Sequence, residues 1–237
     1  MPPSAKPEQP ETLVQSTKLA IIEHIRGHNL KVGDKLPSEA SFVEQLEVSR
    51  TVVREAYKSL VALGIIDMSA GRRAEVSGFD GSVIGLTLTH ALRTDQLNVH
   101  QVWDARRSIE LRSVELAAMH RNDQQLATIQ QLCRDMREHF LDEAAITEYD
   151  IQFHNAIAEA SRNPLLGVLV LSLSSAIRET NPIVWRYRRT EAEQMEIVEL
   201  HERIAEAISA RDPDAAREAM EAHFGVAIAG LAKAGFS

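Results

Sequence analysis

Four side chains in the second half of the chain are of the types that bind transition metals. Asp150 and His154 are four residues apart, so on a helix both side chains face a common point. His201 and His223 each lie among apolar residues at helical spacing, which places them at or near inward-facing positions. Three histidines and one aspartate suit a divalent ion and leave coordination sites open on an octahedral one. Spacing alone also allows the simpler interpretation, in which each is a core residue with locally satisfied hydrogen bonds.

The residues that follow Val48 have the pattern of a helix that contacts nucleic acid. Apolar residues recur at helical spacing from Val52 to Leu63, and Ser49 is suited to cap the start of the helix. Basic residues form a four-residue ladder on another face: Arg50, Arg54 and Lys58. One face is therefore suited to a protein core and the other to phosphates or bases.

The net charge of the chain is -8, which at first sight argues against a nucleic-acid partner. However, residues 1–78 contain ten basic and ten acidic side chains, so the acidity belongs entirely to the rest of the chain. A neutral module whose basic residues cluster on one face still attracts phosphates. The charge distribution is therefore compatible with a DNA-binding module followed by an acidic one.

The composition places the chain among globular proteins, because 44% of its 237 residues are apolar. No apolar run is long enough to span a bilayer, and the N-terminal residues lack the apolar stretch of a secretory signal. The sequence therefore predicts a cytoplasmic protein with no membrane partner. The single cysteine, Cys133, cannot form an internal disulfide and is interpreted as a small buried hydrophobic residue.

The N-terminal part of the chain has the signals of a helix-turn-helix. Residues 1–11 contain four prolines and are predicted to be a disordered leader, and an amphipathic helix follows over residues 12–27. Ser38 is a natural N-cap for a short helix over residues 39–45. This short helix and the Ser49 helix have the dimensions of a helix-turn-helix, whose second helix enters the major groove.

Two short strands are predicted after the second of these helices. Gly64 ends the helix, and residues 65–68 and 74–76 have the composition of strands around a basic turn. Three helices with such a hairpin form a winged helix-turn-helix. The predicted DNA-binding domain therefore covers residues 12–78.

Beyond a predicted linker at residues 79–84, the sequence contains no further strand signal. Helical patterns follow at roughly residues 83–91, 99–122, 123–141, 144–161, 164–179, 190–210 and 213–234. The run at residues 185–189 is interpreted as a loop or a helix end. The predicted fold class is mainly α, with an N-terminal winged helix-turn-helix followed by an all-α bundle of about six or seven helices over residues 85–237.

Three runs of residues in the first domain carry a resemblance to a known family. They are Gly33-Asp34-Lys35-Leu36-Pro37-Ser38-Glu39, then Val48-Ser49-Arg50-Thr51 with Val53-Arg54-Glu55-Ala56, then Leu60 with Leu63-Gly64-Ile65-Ile66. This order resembles the N-terminal domain of the GntR family of bacterial transcription regulators. The resemblance implies base and phosphate contacts by Arg50, Thr51 and Arg54, with Ser38 and the wing in support. The full predicted DNA-binding set is Ser38, Ser49, Arg50, Thr51, Arg54, Lys58, Arg72 and Arg73.

Two positions depart from the pattern of that family. Ala40 stands where many relatives have an arginine. The wing reads Gly71-Arg72-Arg73-Ala74, where theirs usually reads Gly-Arg-Gly-Thr or Gly-Arg-Gly-Ser. With Arg73 in place of the tip glycine, we expect the wing to contribute more charge and less close backbone contact.

A second resemblance covers nearly all of residues 85–234. It is carried by Trp103-Asp104-Ala105-Arg106-Arg107-Ser108-Ile109-Glu110, by Asp150 with Phe153-His154 and Asn163-Pro164, by Glu199-Leu200-His201 with Arg211-Asp212, and by Met220 with His223. This pattern is similar to the FCD effector domain of FadR-type GntR regulators. The resemblance implies that Asp150, His154, His201 and His223 are the ligands of a divalent ion, with zinc favoured and nickel or manganese as the others.

The same resemblance implies an effector site beside the metal. Arg106 matches the family arginine of the first long helix and resembles a carboxylate clamp, because a guanidinium can hold both oxygens of one carboxylate. Its alternative role is a salt bridge with Glu110, four residues along the helix. Arg178, Asn181 and Arg188 could reach the same cavity, and for each the alternative is a solvated or structural role. The predicted effector-binding residues are Arg106, Arg178 and Asn181.

Together these features predict a homodimeric transcription regulator that binds double-stranded DNA at a palindromic operator, with repression favoured over activation. A small carboxylate such as a sugar acid, a hydroxy acid or an aromatic acid would bind at the metal-containing site and control the affinity for DNA. Two alternatives stay open, a metal-sensing regulator without an organic effector and a mononuclear metalloenzyme. The enzyme is disfavoured because no general base of the His-Glu-x-x-His kind lies near the ligands.

Overall fold

The computed structural model describes residues 12–68, 72–188 and 190–233, with the backbone alone at residue 183. The chain divides into two compact units, one ending at Val83 and the other starting at Ile84. The leader predicted at residues 1–11 lies outside the described residues. None of the helices in the described ranges combines the length and the apolar character that crossing a membrane requires.

The first unit contains three helices and a two-stranded antiparallel sheet. The elements are α1 (Leu13–Gly27), α2 (Glu39–Leu46), α3 (Arg50–Ala62), β1 (Ile66–Asp67) and β2 (Glu75–Val76). In the sheet Ile66 pairs with Val76 and Asp67 with Glu75. The side chains of Thr12, Ser38 and Ser49 cap the three helices by accepting a backbone hydrogen bond. The strands are shorter than predicted, and the wing tip at residues 69–71 lies outside the described residues.

A small core fixes the orientation of α3. The buried face of α3 includes Tyr57, whose hydroxyl donates a 2.8 Å hydrogen bond to the carbonyl of Pro37, just before α2. The Tyr57 ring also meets the ring of Phe42, on α2, edge to face with centroids 6.0 Å apart. Burial raises the pKa of Tyr57, so the hydroxyl keeps its proton and remains a donor. These contacts hold the opposite, polar face of α3 toward solvent.

In its described residues the second unit is entirely helical. Its helices are α4 (Ser82–Arg93), α5 (Val99–His120), α6 (Asp123–Glu138), α7 (Glu143–Ala160), α8 (Pro164–Arg186), α9 (Glu191–Ala210) and α10 (Pro213–Lys233). Capping boxes, in which side chains and backbone bond reciprocally, begin α5, α6 and α9. α10 packs against α5 and α9, and α7 packs against α6 and α8. The predicted fold class is confirmed.

Two arginines tie the ends of α5 and α9 together. The guanidinium of Arg121, which follows α5, donates a 2.8 Å hydrogen bond to the carbonyl of Ser209 at the end of α9. Arg211, which follows α9, donates in return to the carbonyls of Met119 and Arg121, at 3.3 Å each. The carbonyls at a helix C-terminus lack partners within the helix, so each arginine satisfies the end of the other helix. This exchange holds α5 in register with α9.

One predicted boundary in the second unit is wrong. α8 continues through Pro182 to Arg186, past its predicted end at residue 179. A proline inside a helix costs about 3 kcal/mol, but Val184 and Trp185 beyond it are almost fully buried. Burial of such side chains contributes about 1.5–3 kcal/mol each and offsets that cost. α4 begins at Ser82, one residue before the predicted start at 83, where the Asp80 carboxylate accepts the Ser82 N–H at 2.9 Å.

α4 approaches α8 through a glycine. A Cβ atom added at Gly85 would lie 2.8 Å from the carbonyl oxygen of Ser172, closer than real Cβ contacts come. The obstacle is backbone and cannot rotate away. Any side chain at this position therefore pushes α4 away from α8.

We expect Gly85→Ala to destabilise the second unit by about 1–3 kcal/mol, because the added methyl group overpacks a backbone contact. Chemical denaturation followed by circular dichroism measures the change. The matched control is Gly225→Ala on α10, where nothing lies within 4 Å of the added Cβ. Alanine there should stabilise the helix by about 0.5–1 kcal/mol. Equal stability of the two variants would contradict the tight crossing at Gly85.

Candidate functional site

The polar face of α3 is exposed and carries most of the residues predicted to contact DNA: Ser49, Arg50, Thr51, Arg54 and Lys58. In the part of the chain that the structure describes, no carboxylate lies within ion-pair distance of Arg50 or Arg54. Lys58, in contrast, forms a 2.9 Å ion pair with Glu55. The guanidiniums of Arg50 and Arg54 are therefore available to phosphates or to base edges, whereas the ammonium of Lys58 is paired with Glu55.

The remaining residues predicted to contact DNA are also exposed. Ser38 and Ser49 use their hydroxyl oxygens to cap α2 and α3, accepting from backbone N–H groups at 3.2 and 3.3 Å. A hydroxyl that accepts in this way can still donate its own proton to a phosphate. Arg72 and Arg73 are exposed directly after the wing tip. Residue 71, the first of the Gly71-Arg72-Arg73-Ala74 run, lies outside the described residues.

The four candidate metal ligands meet inside the second unit. Asp150 and His154 come from α7, His201 from α9 and His223 from α10, and one potential ligand atom of each lies within 4.8 Å of the others. Oδ1 of Asp150 lies 3.2 Å from Nε2 of His201, 3.7 Å from Nε2 of His154 and 4.0 Å from Nε2 of His223. All four residues are buried, with 1–6% of their surface exposed. This group, which we call the Asp150 cluster, could hold one ion.

The outer nitrogens of two of these rings are already engaged. Nδ1 of His201 lies 2.7 Å from the carbonyl of Ile197, which can only accept, so the ring proton is on Nδ1. Nδ1 of His154 contacts the carboxylate of Glu110 in the same way. In their neutral forms both rings therefore direct an Nε2 lone pair toward Asp150. Lone pairs facing a buried carboxylate repel it unless a cation, either a metal ion or a further proton, lies between them.

A buried ion-pair chain lies beside the Asp150 cluster. Nε of Arg106 donates to Glu110 at 2.6 Å, and Nη2 of Arg106 donates to Asp150 at 3.3 Å. Burial opposes the charge on Arg106, but Glu110 and Asp150 raise the pKa of the guanidinium. Burial likewise opposes the charge on Glu110, yet Arg106 and His154 lower the pKa of that carboxyl group. The two carboxylates and the guanidinium are therefore ionised together.

Within the Asp150 cluster, Asp150 is held in its ionised form and His223 in its neutral form. Burial opposes ionisation of Asp150, but His154 and Arg106 hold the pKa of Asp150 well below its usual value. For His223, burial and the neighbouring rings of His201 and His154 hold the pKa well below its usual value. His223 is therefore neutral, which is the form that binds a metal.

Two aromatic rings fix the position of Arg106. Its guanidinium carbon lies 5.3 Å from the ring centroid of Trp103 and 5.7 Å from that of Phe224. Trp103 is itself held by a 3.2 Å hydrogen bond from its indole N–H to the hydroxyl of Thr180. Within the described residues Nη1 of Arg106 has no hydrogen-bond partner. One nitrogen of this buried guanidinium is therefore left without a partner in the described part of the chain.

The other predicted effector residues lie in different surroundings. Arg178 is exposed and forms a two-pronged ion pair with Glu148, at 2.5 and 2.9 Å, which holds it at the surface rather than in the cluster. These contacts are those of the solvated role given above as the alternative for Arg178. Asn181 is buried on α8, and Arg188 is partly buried just beyond the end of α8.

One contact of the site was missed by sequence reasoning. Glu110 is predicted only as an ion-pair partner of Arg106, but it also contacts His154, which is 44 residues away in the chain. The sequence signal that could have pointed to Glu110 as a residue of the site is its position one helical turn beyond Arg106 on α5. Cys133, as predicted, is buried, with Sγ lying 3.6 Å from the carbonyl of His201, and burial raises the pKa of the thiol to about 12.

Two family models match the chain. Residues 13–76 match the bacterial regulatory proteins of the gntR family, and residues 101–226 match the FCD domain. The HTH-type transcriptional regulator LutR of Bacillus subtilis is 34% identical over 202 residues, which cover 84% of this chain and 92% of that protein. The galactonate operon transcriptional repressor of Escherichia coli is 28% identical over 193 residues, covering 79% and 82%.

A solved structure agrees with the sequence comparisons. The Streptococcus agalactiae GntR structure superimposes with a TM-score of 0.69 and 26% identity, covering 91% of this chain and 99% of that one. The proteins that these comparisons match are regulators of transcription. The chain therefore belongs to the GntR family of bacterial regulatory proteins with a C-terminal FCD domain, and it is a DNA-binding transcription regulator rather than an enzyme.

Proposed function

We propose that a small carboxylate controls the affinity of this regulator for its operator by binding to a divalent metal ion in the Asp150 cluster. The observation that carries the proposal is the convergence of Asp150, His154, His201 and His223 in one buried group, with the Nε2 atoms of the three rings around Oδ1 of Asp150. A divalent ion held there would be bonded by all four side chains. Arg106 contacts the other oxygen, Oδ2, of Asp150 and leaves Oδ1 to the imidazoles.

The separations between the donor atoms support a single ion. Nitrogen and oxygen ligands lie about 2.0–2.2 Å from a zinc ion. Neighbouring ligands are then on the order of 3.0–3.5 Å apart and opposite ones about 4.2 Å apart. The measured distances from Oδ1 of Asp150 to the three Nε2 atoms run from 3.2 to 4.0 Å. The four ligands therefore need little movement to bind.

The donor set favours zinc, with nickel or manganese as alternatives. Three imidazoles and one carboxylate suit ions of intermediate hardness, and they leave positions open for a further ligand. Glu110 would serve as the outer partner of His154, since a carboxylate that accepts from Nδ1 orients the ring and increases its basicity. When bound, the ion supplies a positive charge at which a carboxylate can coordinate.

Arg106 is the residue that we propose as the second contact of the carboxylate. Its Nη1 is without a partner among the described residues, and its stacking against Trp103 and Phe224 fixes the direction of the guanidinium. Asn181, also buried, remains a candidate for a neutral hydrogen bond. The E. coli relative is named for the galactonate operon, and galactonate is a sugar acid. A sugar acid or a hydroxy acid is therefore the effector class that we favour.

The proposed mode of DNA binding uses a homodimer. Each α3 would enter the major groove of one half-site, with Arg50, Thr51 and Arg54 at base edges and phosphates and the wing arginines on the flanking backbone. A two-fold symmetric protein matches a palindromic operator. The E. coli relative is a repressor by name, which supports repression. The effector acts if it binds two conformations of the dimer with different affinity.

A metal-sensing regulator without an organic effector is the second candidate. The observation that favours it is the near-complete burial of the Asp150 cluster, with at most 6% of any ligand residue exposed. In that case metal binding alone would change the affinity for DNA, and carboxylates would have no further effect.

Arg50→Ala and Arg54→Ala are each expected to weaken binding to the operator by about 1–3 kcal/mol, because each removes a guanidinium that is free to contact bases or phosphates. Fluorescence anisotropy at fixed salt concentration measures the affinity, on an operator selected from a random DNA library. Arg217→Ala is the control, because its guanidinium is paired with Glu115 on the second unit. Unchanged affinity in both test variants would exclude α3 from DNA recognition.

D-galactonate is expected to raise the melting temperature of the zinc-loaded protein but not of the chelator-treated protein. A ligand at a hundredfold excess over its Kd stabilises the folded state by about 2.7 kcal/mol. His201→Ala should abolish the response together with the bound zinc. If carboxylates have no effect while zinc alone changes operator binding, the metal-sensing alternative is correct. If metal analysis finds no bound ion in wild type, the four-ligand site is wrong.

Glu110→Gln is expected to lower zinc affinity about 10–100-fold, because it removes the carboxylate that accepts from Nδ1 of His154. Competition with a chromophoric chelator measures the affinity, and circular dichroism confirms folding. The matched control is Glu115→Gln, on the same helix, where the carboxylate pairs with Arg112 and Arg217 near the surface. A Glu110→Gln protein that binds zinc as tightly as wild type would limit Glu110 to balancing the charge of Arg106.

A further inference from the structure

The indole of Trp103 links two buried polar side chains that lie on different helices. Its N–H donates a 3.2 Å hydrogen bond to the hydroxyl of Thr180 on α8, and its ring centroid lies 5.3 Å from the guanidinium carbon of Arg106 on α5. At most 4% of the surface of each of these three residues is exposed. A change at Thr180 can therefore reach Arg106 through a single side chain.

The hydroxyl of Thr180 serves as both donor and acceptor. Its proton is donated to the carbonyl of Ala176, one helical turn earlier, at 3.0 Å, with the carbonyl of Ile177 at 3.5 Å. An indole N–H can only donate, so it uses a lone pair that this arrangement leaves on the Thr180 oxygen. A buried donor without an acceptor is unfavourable. Loss of the hydroxyl would therefore favour a different position of the Trp103 ring.

Open space lies next to this hydrogen bond. A pocket of about 360 Å³ is lined by Thr180 and by Val99, which precedes Trp103 by one helical turn on α5. Without its hydrogen bond the indole has room to turn toward this pocket. The guanidinium of Arg106 would then lose one of its two aromatic contacts and keep only the one with Phe224.

The guanidinium of Arg106 needs this support because its hydrogen bonds use only two of its three nitrogens. Nε donates to Glu110 at 2.6 Å and Nη2 donates to Asp150 at 3.3 Å, whereas Nη1 has no partner among the described residues. A guanidinium is planar, so the orientation of its plane decides where all three nitrogens point. The aromatic contacts of Arg106 fix that plane.

We infer that Thr180 is a positioning residue for Arg106. By holding the indole of Trp103, it fixes the plane in which the guanidinium bonds Asp150 and presents Nη1. The inference deepens the proposed function and rests on it for the effect on a bound carboxylate, which would depend on this plane. The effect on Arg106 itself requires neither metal nor effector.

Hydrogen exchange of the Arg106 Nε–H tests this inference without any ligand. Nuclear magnetic resonance follows the exchange in full-length protein with labelled arginine, and the signal is assigned by its absence from Arg106→Lys. Thr180→Val keeps the size of the side chain but has no hydroxyl. In this variant the exchange is expected to be about tenfold to hundredfold faster, because the guanidinium is no longer held in one orientation. Thr180→Ser keeps the hydroxyl and should restore the wild-type rate.

Two further variants separate positioning from general stability. Thr147→Val removes another buried helical hydroxyl, which donates to the carbonyl of Glu143 at 2.8 Å, and it should leave the exchange at Arg106 unchanged. Trp103→Phe removes the indole N–H but keeps an aromatic ring, so it should accelerate the exchange, and it replaces Thr180→Val if that protein fails to fold. Wild-type exchange in both Thr180→Val and Trp103→Phe, or equal acceleration in Thr147→Val, would overturn the inference.

Isothermal titration of the zinc-loaded proteins with D-galactonate separates this inference from the proposed function. Thr180→Val is expected to bind galactonate about tenfold more weakly than wild type, with its zinc content unchanged. If galactonate does not bind wild type, the proposed effector fails, while the exchange rates still decide the role of Thr180. Equal galactonate affinity together with faster exchange would remove Arg106 from the carboxylate site and support its positioning by Thr180.

Discussion

The carboxylate of Asp150 is the constraint on which the second unit depends. It is buried and ionised, and its two oxygens have different partners: Oδ2 accepts from Arg106, whereas Oδ1 faces the Nε2 atoms of the three histidines. A buried charge requires compensation, and one guanidinium shared with Glu110 supplies only part of it. A cation at Oδ1 would complete the compensation. Because it would bind only the folded cluster, such a cation would also stabilise the bundle.

The bundle positions this carboxylate by fixing its neighbours from several directions. α5 supplies Arg106 and Glu110, α7 supplies Asp150 and His154, and α9 and α10 each supply one histidine. The rings of Trp103 and Phe224 hold the guanidinium, and the arginine exchange at Arg121 and Arg211 holds the ends of α5 and α9. Because each of these helices is fixed by contacts outside the cluster, the ligand atoms are preorganised for an ion rather than gathered by it.

The sequence predicts local features of this fold better than distant ones. The spacing of Asp150 and His154 is sufficient to place both on one face, since helix geometry alone decides it. No spacing rule brings His201 and His223 to the same point; that prediction depended on family resemblance. The contact between Glu110 and His154 is set by how α5 crosses α7.

Pro182 is a helix-stop signal in the sequence, but the burial of Val184 and Trp185 in the folded bundle outweighs it. The ion pair of Arg178 with Glu148 is likewise set by how α8 packs against α7.

The burial of the Cys133 thiol keeps sulfur chemistry away from the neighbouring Asp150 cluster. Its pKa of about 12 keeps it protonated at every pH that a cell reaches, although it lies 3.6 Å from the carbonyl of His201. Only a thiolate attacks oxidants or binds soft ions such as copper(I). Sulfur therefore does not compete with the imidazoles, and peroxide has no reactive thiol to modify beside them. An ion held in the Asp150 cluster would therefore have only nitrogen and oxygen donors, also under oxidising conditions that inactivate cysteine-ligated metal sites.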